Sequence, residues 1–238
     1  MTEEYNKVIA SHYSAYRPPL HDIILEYVLS KNEMFSDGLD IGCGTGYSAI
    51  ALAKYCSQVY GIEPSRAMLV ETIQNEKIRY LLGSGSAVPL SNSSVDIATF
   101  AGSLFYAKSL TLIEELKRVC RKKAIIIVYD FEVLVDDILF RCGIDLENSA
   151  SNYDHAINLS DNSNFTEIIV DNKQIELEVA TSALAHILLS VSDNYDAFVK
   201  KYDSLNVFSL LVNELKRLQK QYNLMANIYF AKYKLNFT

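Results

Sequence analysis

Apolar positions along this chain keep two rhythms that alternate through its N-terminal half. His21–Leu29 (HDIILEYVL) repeats apolar residues at helical spacing, and Tyr47–Tyr55 (YSAIALAKY) reads as an alanine-rich helix. Pro64 and Ser65 open another helix running to about Asn75, and Leu110–Val119 places apolar residues three and four apart. Between these lie short apolar runs that read as strands. They are Leu39–Ile41, Gln58–Ile62 (QVYGI), Ile78–Leu82 (IRYLL), Val95–Phe100 (VDIATF) and Ala124–Tyr129 (AIIIVY). The last is unbroken and rich in isoleucine and valine, the mark of a strand buried on both faces. Five strands separated by helices or long connections predict a parallel sheet of the α/β class.

Beyond Arg141 the rhythm changes. Asn148–Asn164 is dominated by Asn, Asp and Ser and reads as a loop. Thr166–Ala180 reads as two strands about a turn at Asp171, Asn172 and Lys173. Helices are expected over 182–202 and 205–224, the second plainly amphipathic (SLLVNELKRLQKQY). Asn227–Leu235 alternates apolar and polar residues, which predicts a closing antiparallel strand.

Composition narrows the picture. The chain has 238 residues, half of them hydrophobic and 21% charged, enough to build a core. Its formal net charge of −7 disfavours a nucleic-acid partner, since such affinity rests on Lys and Arg displacing counterions. The polar, acidic opening MTEEYNKVIA is unlike a signal peptide, and no apolar stretch is long enough to span a bilayer. Cys43, Cys56, Cys120 and Cys142 form no CxxC pair and histidine is scarce, so neither a disulfide framework nor a metal site is expected. A cytoplasmic location without membrane attachment follows as the expectation.

The most informative stretch is Leu39–Gly46, LDIGCGTG, which places Asp40, Gly42, Cys43, Gly44 and Gly46 between a strand and a helix. Glycine tolerates positive φ and offers bare backbone to a ligand, and the helix that follows presents free N–H groups. A dinucleotide site uses the same physics with the spacing GxGxxG. Here the third glycine comes one residue early and Tyr47 stands where close packing wants glycine. The turn alone admits S-adenosylmethionine, a nucleotide or a purely structural bend. Glu63 then ends the strand VYGIE, where a carboxylate can accept from both hydroxyls of a ribose. That residue supports an adenosine ligand without choosing between methyl donor and NAD.

A third segment chooses. Gly83–Leu90 (GSGSAVPL), followed by SNSSVDIATF, resembles the class I methyltransferases. The likeness is to the small-molecule branch around ubiquinone/menaquinone and trans-aconitate methyltransferases, and it covers roughly residues 5–131. It implies a Rossmann-like, doubly wound, mainly parallel seven-stranded sheet with an antiparallel C-terminal strand and a lid region. It also implies a single methyltransferase domain over 1–238, with an N-terminal lid segment at 1–30 and a cofactor-binding core at 31–140. Residues 141–205 would form a substrate lid, and 206–238 a closing helix and strand. The implied activity is methyl transfer from S-adenosylmethionine to a small-molecule acceptor by in-line displacement.

By the same resemblance Asp40 and the backbone of Gly42, Gly44 and Gly46 hold the methionine part, with Cys43 inside the turn. Glu63 takes the ribose, Pro64 turns the chain beside adenine, Ser84 and Gly85 meet the adenine edge, and Ala101 lies near the methionine end. Tyr13 and Arg17, in ASHYSAYRPP, fold over cofactor and substrate. The chain also departs from the pattern. Ser84 stands where relatives carry Asp, Ser86 where they carry Glu, and Phe105 where they carry His.

The acceptor pocket is assigned to Tyr13, Tyr106, Tyr129 and Asp130, and of these Tyr13, Tyr106 and Asp130 are candidates for catalysis. His12, His21, His155 and His186 read as surface or satisfied core residues, and Arg118, Arg121, Lys122 and Lys123 as a solvated cluster at a helix end. Two further readings stay open: a catalytically silent cofactor-binding protein and a nucleotide-dependent oxidoreductase.

Overall fold

The computed structural model describes residues 8, 9, 11, 12, 15, 16, 18–145 and 152–236. Its elements are α1 (Leu20–Val28), β1 (Phe35–Ile41), α2 (Tyr47–Leu52), β2 (Cys56–Glu63), α3 (Arg66–Val70) and β3 (Ile78–Leu82). They continue with β4 (Val95–Ala101), α4 (Leu104–Ala107), α5 (Leu110–Val119), β5 (Cys120–Leu134) and α6 (Asp136–Arg141). The chain closes with β6 (Phe165–Val179), α7 (Thr181–Leu189), α8 (Ser192–Tyr202), α9 (Val207–Leu218) and β7 (Tyr222–Leu235).

The strands form a seven-stranded sheet in the order β3-β2-β1-β4-β5-β7-β6. From β3 to β5 the pairing is parallel, as the alternating rhythm predicts. The C-terminal strands run antiparallel. Side-chain rungs Gln221–Glu178, Asn223–Glu176, Gln174–Asn227 and Thr166–Asn236 descend on one strand as they climb on the other. The expected Rossmann-like α/β sheet is the one present.

By its internal contacts the chain forms two compact units, each discontinuous in sequence: Leu20–Phe131 with Tyr153–Lys173 and Ile228–Thr238, and Met1–Pro19 with Glu132–Asn152 and Gln174–Asn227. The first contains β1–β4 and α1–α5. Its core gathers Leu39, Ile41, Ile97, Phe100, Leu116 and Ile126, all buried. Helix α5 shows how the sequence builds it. Ser109 caps its N-terminus by accepting from the Leu112 N–H at 3.1 Å, and Leu112, Leu116 and Val119 then fall on one buried face. In the second unit α7, α8 and α9 pack on one another through buried Leu184, Leu188, Phe198, Leu211 and Leu215.

Several boundaries differ from expectation. Phe165–Val179 is one unbroken strand, not a hairpin about residues 171–173. It lies at the sheet edge with mostly exposed side chains, where polar residues guard an unpaired edge and do not break it. The helix expected over 205–224 stops at Leu218, and β7 begins at Tyr222 because the alternation of buried and exposed residues already starts there. Residues 182–202 hold two helices. Helix α3 spans only five residues and buries none of them, so no packing extends it toward Asn75. Among the described residues no helix is long and apolar enough to cross a membrane.

The β4 residue Ile97 is fully buried at the centre of the sheet, paired with both Gly38 and Ile125. Ile97→Ala is expected to lower unfolding free energy by about 2–5 kcal/mol, read from the urea midpoint by circular dichroism. A change below about 0.5 kcal/mol contradicts this placement of the core.

Candidate functional site

Strand register brings the site together. Ile41 pairs with Ile62, Glu63 with Leu82, and Ala101 with Tyr129, so the C-terminal tips of neighbouring strands align along one edge. In an open α/β sheet that edge carries the ligand crevice, centred where the chain turns from one side of the sheet to the other. Here the turn point is β1, flanked by β2 and β4.

The glycine turn follows β1. Gly42, Gly44 and Gly46 have φ of 73°, 54° and 96°, a left-handed series that disfavours ordinary side chains. Space adds a second constraint at two of them. A Cβ on Gly42 would lie 2.5 Å from Ser103 Cβ, and one on Gly46 would strike the Tyr80 hydroxyl. Gly44 differs, because nothing lies within 4 Å of where its Cβ would be. Its bare backbone faces open space.

Glu63 fixes this turn to the tip of β2. Its Oε2 accepts from the Gly44 N–H at 3.0 Å and its Oε1 from the Ser65 N–H at 2.9 Å. Only 8% of the residue is exposed. Each carboxylate oxygen has two lone-pair sites, so each keeps one after these bonds. Across the crevice, Ser103 Oγ donates to the Ile41 carbonyl at 2.5 Å and closes the β4 side.

These elements line a cavity of about 470 Å³, within the ~300–1,000 Å³ typical of small-molecule sites. Gly42, Gly44, Glu63, Pro64, Ser84, Gly85, Ala101 and Tyr106 all lie on its wall, so most of the sequence-derived site converges there. Ser84 and Ser86 join hydroxyls at 3.0 Å at the adenine-edge positions. Met68, Gly102, Ser103 and Ser109 complete residues that sequence reasoning did not single out.

Asp40 and Cys43 lie elsewhere. Asp40 is fully buried beneath the turn, its oxygens taken by Ser48 Oγ at 2.5 Å and Thr99 Oγ1 at 2.8 Å. Burial raises its carboxyl from 3.8 to about 6 against the opposing pull of those two hydroxyls. Cys43 is buried as well, and burial pushes its thiol up. Neither lines the cavity. Both shape the turn from below. Tyr13 and Arg17 lie outside the described residues.

One other expectation needs correcting. Arg118 is no free surface charge: it bonds Glu115 and the carbonyls of Val88 and Leu90, while Glu115 accepts from the Val88 N–H. Together they pin the loop that carries Ser84 and Gly85. Arg121 likewise pairs with Asp37 and Asp96. A second point concerns His155, read as a surface or satisfied core residue, whose partner the structure supplies. Its Nδ1 lies 3.0 Å from Asp130 Oδ2, and the Tyr153 hydroxyl lies 2.8 Å from that oxygen and 2.7 Å from the Gly102 carbonyl. Asp130 and Tyr129 do not line the larger cavity, whereas Tyr106 does, with 79% of its surface exposed. No local motif marks Tyr153 or His155, since they stand in a polar loop and only the folded chain brings them to β5.

Comparison with known proteins agrees with this geometry. Residues 39–128 match the family model described as a methyltransferase domain. A Dictyostelium discoideum protein named as a methyltransferase is 28% identical over 127 residues, 53% of this chain and 48% of that protein. A Saccharomyces cerevisiae protein named as an S-adenosylmethionine-dependent methyltransferase is 28% identical over 121 residues, 47% of this chain and 42% of its own length. The chain thus spans about half the length, or less, of these curated relatives. Among solved structures, one titled as a type II methyltransferase from Anaeromyxobacter dehalogenans superposes with a TM-score of 0.64 at 19% identity, over 93% of this chain and 98% of that one. Another, titled as a methyltransferase from Bacillus halodurans, gives 0.53 at 13% identity over 90% and 97%. At such identities these likenesses speak to the fold. Residues 39–128 thus resemble a methyltransferase domain in sequence, and the fold around them is the one seen in those structures.

Because the folded Asp40 carboxyl titrates near 6 and an unfolded one near 3.8, the native state holds the extra proton between those values. Stability therefore falls as pH rises from about 4 to about 6, by about 3 kcal/mol at 1.36 kcal/mol per unit. Urea unfolding across that range, compared with Asp40→Asn, is expected to show this falling component in the wild type alone. Parallel pH profiles for the two proteins contradict it.

Proposed function

We propose that this protein transfers a methyl group from S-adenosylmethionine to a small-molecule acceptor. The observation that carries the reading is the Glu63 carboxylate at the tip of β2, aimed by two backbone N–H groups, beside the bare backbone of Gly44 on a cavity of about 470 Å³. The free lone pairs of Glu63 suit the two hydroxyls of a ribose. Gly44 lets an adenosyl group lie against main chain, and Ser84, with its hydroxyl, and Gly85 stand on the wall at the adenine edge. Ala101 and Gly102, at the tip of β4, leave room at the methionine end.

The bound cofactor supplies an activated methyl group with its own leaving group. What remains for the chain is to align an acceptor and keep water away, which needs position more than a reactive side chain. Tyr106, in α4, is the aromatic residue on the cavity wall and offers a surface for that purpose. The net charge of −7 and the size of the cavity favour a small acceptor over a nucleic acid.

Calorimetric titration is expected to give binding of S-adenosylhomocysteine and none of NAD. Glu63→Ala is expected to weaken that binding by about 1–3 kcal/mol, the scale of lost charge-assisted hydrogen bonds. Equal affinity in the variant removes Glu63 from the ribose site. Gly44→Ala tests the open backbone separately. With no atom in its way the fold tolerates it at a cost of about 1–2 kcal/mol for the left-handed conformation, while the added methyl group enters the cavity and lowers affinity. A variant that binds S-adenosylhomocysteine as tightly as the wild type contradicts this placement.

A further inference from the structure

A second cavity, about 230 Å³, lies against β5, β6 and β7 and is lined by His155, Asn158, Asp171, Asn172 and Tyr229 among others. Adjacent strands carry the two cavities. Ala101 and Tyr129 are register partners on adjacent strands, and Ala101 lines the larger cavity while Tyr129 lines the smaller. A short polar run lies between them. The Tyr153 hydroxyl is 2.7 Å from the Gly102 carbonyl and 2.8 Å from Asp130 Oδ2, its one proton donated to one of these acceptors at a time, and the same Asp130 oxygen lies 3.0 Å from His155 Nδ1. A Cβ on Gly102 would sit 3.2 Å from Asp130 Oδ1, tighter than ordinary contact, and its φ of 68° also favours glycine.

The carboxylate dictates the imidazole's tautomer. Asp130 accepts from the Phe131 N–H through Oδ1 at 2.7 Å, which orients it, and Oδ2 takes the Nδ1–H of His155. A neutral His155 then carries its lone pair on Nε2, the arrangement of a base held by a carboxylate. His155 is about one-third exposed and Asp130 about one-seventh, so the base is reachable while its partner is sheltered. Besides His155, the lining of the small cavity holds the amides of Asn158 and Asn172, the Tyr129 and Tyr229 phenols, the Asp171 carboxylate and six apolar residues, with no Lys or Arg among the described residues. A negatively charged acceptor is disfavoured there, and an uncharged hydroxyl compound is well matched.

We propose that His155, positioned by Asp130, is the base that removes the proton from a hydroxyl-bearing acceptor received in this smaller cavity. The proposal rests on the methyl-transfer reading above and names its substrate class. The acceptor O–H bond breaks with its proton passing to Nε2, and an oxygen electron pair forms the bond to the methyl carbon. The methyl carbon–sulfur bond breaks with its electrons left on sulfur, so a sulfonium becomes a thioether. The positive charge lost at sulfur reappears on His155, where Asp130 stabilises it.

The test uses the whole protein and phenol as probe. Histidine ¹⁵N NMR is expected to show neutral His155 as the Nδ1–H tautomer, its Nε2 resonance shifting as phenol is added, and Asp130→Asn removing the tautomer preference. Methyl transfer to phenol, read as release of S-adenosylhomocysteine, is expected to fall about 10²–10⁴-fold in kcat in His155→Gln, with affinity for S-adenosylhomocysteine unchanged. The deficit should narrow at alkaline pH, where hydroxide substitutes for the base, and a merely structural loss would not follow pH in this way. The proposal is overturned by an Nε2–H tautomer, by resonances that ignore saturating phenol, by wild-type protein that does not methylate phenol, or by equal kcat in the variant. The titration with S-adenosylhomocysteine alone judges the underlying reading separately, and the NMR measurements can be read without it.

Discussion

The site depends on one polar contact, the hydrogen bond from the Gly44 N–H to the Glu63 carboxylate. Together with the Gly42 and Cys43 N–H groups, which donate to the Ile62 carbonyl at 2.8 and 3.1 Å, it ties the turn of left-handed glycines after β1 to the tip of β2. The same carboxylate accepts from the Ser65 N–H and thereby sets the start of α3. A buried carboxylate normally needs partners to offset its lost hydration. Here two backbone donors supply them, and the group also stands on the cavity wall. The proposed ribose contact would use the same carboxylate that holds the turn.

Below that contact lies a second buried acid with a different task. Asp40 has no access to solvent, and two hydroxyls, from Ser48 on α2 and Thr99 on β4, fasten it to the elements on either side. It therefore links α2, β1 and β4 at the point where the turn departs. Its raised titration shows that the hydroxyls do not fully replace water. Such stored cost beside a site is consistent with a structure organised for binding as well as for stability.

Much of this was legible in the sequence because its signals are local. A strand that ends in alternating glycines, a carboxylate at the next strand's tip, and a Gly/Ser loop after a third strand lie within short windows. Parallel pairing then brings them to one edge automatically. Sequence reasoning failed where the deciding contact is remote. The turn-forming residues 171–173 sit inside a strand because β7 pairs with it and solvent bathes its other side. Asp40 looked like a ligand contact, yet its partners Ser48 and Thr99, the second of them 59 positions away, turn it inward. The partner that satisfies His155 was not legible, because Asp130 is 25 residues away and lies on another element. Arg118 looked solvated because the Val88 carbonyl it holds lies 30 residues earlier.

The most direct measurement is a crystal structure with S-adenosylhomocysteine bound. The account predicts its ribose hydroxyls within hydrogen-bonding distance of the two Glu63 oxygens, its adenosine against the Gly44 backbone, and its sulfur near Ala101 and Gly102. A ligand seated away from this crevice, or Glu63 turned from the sugar, contradicts it.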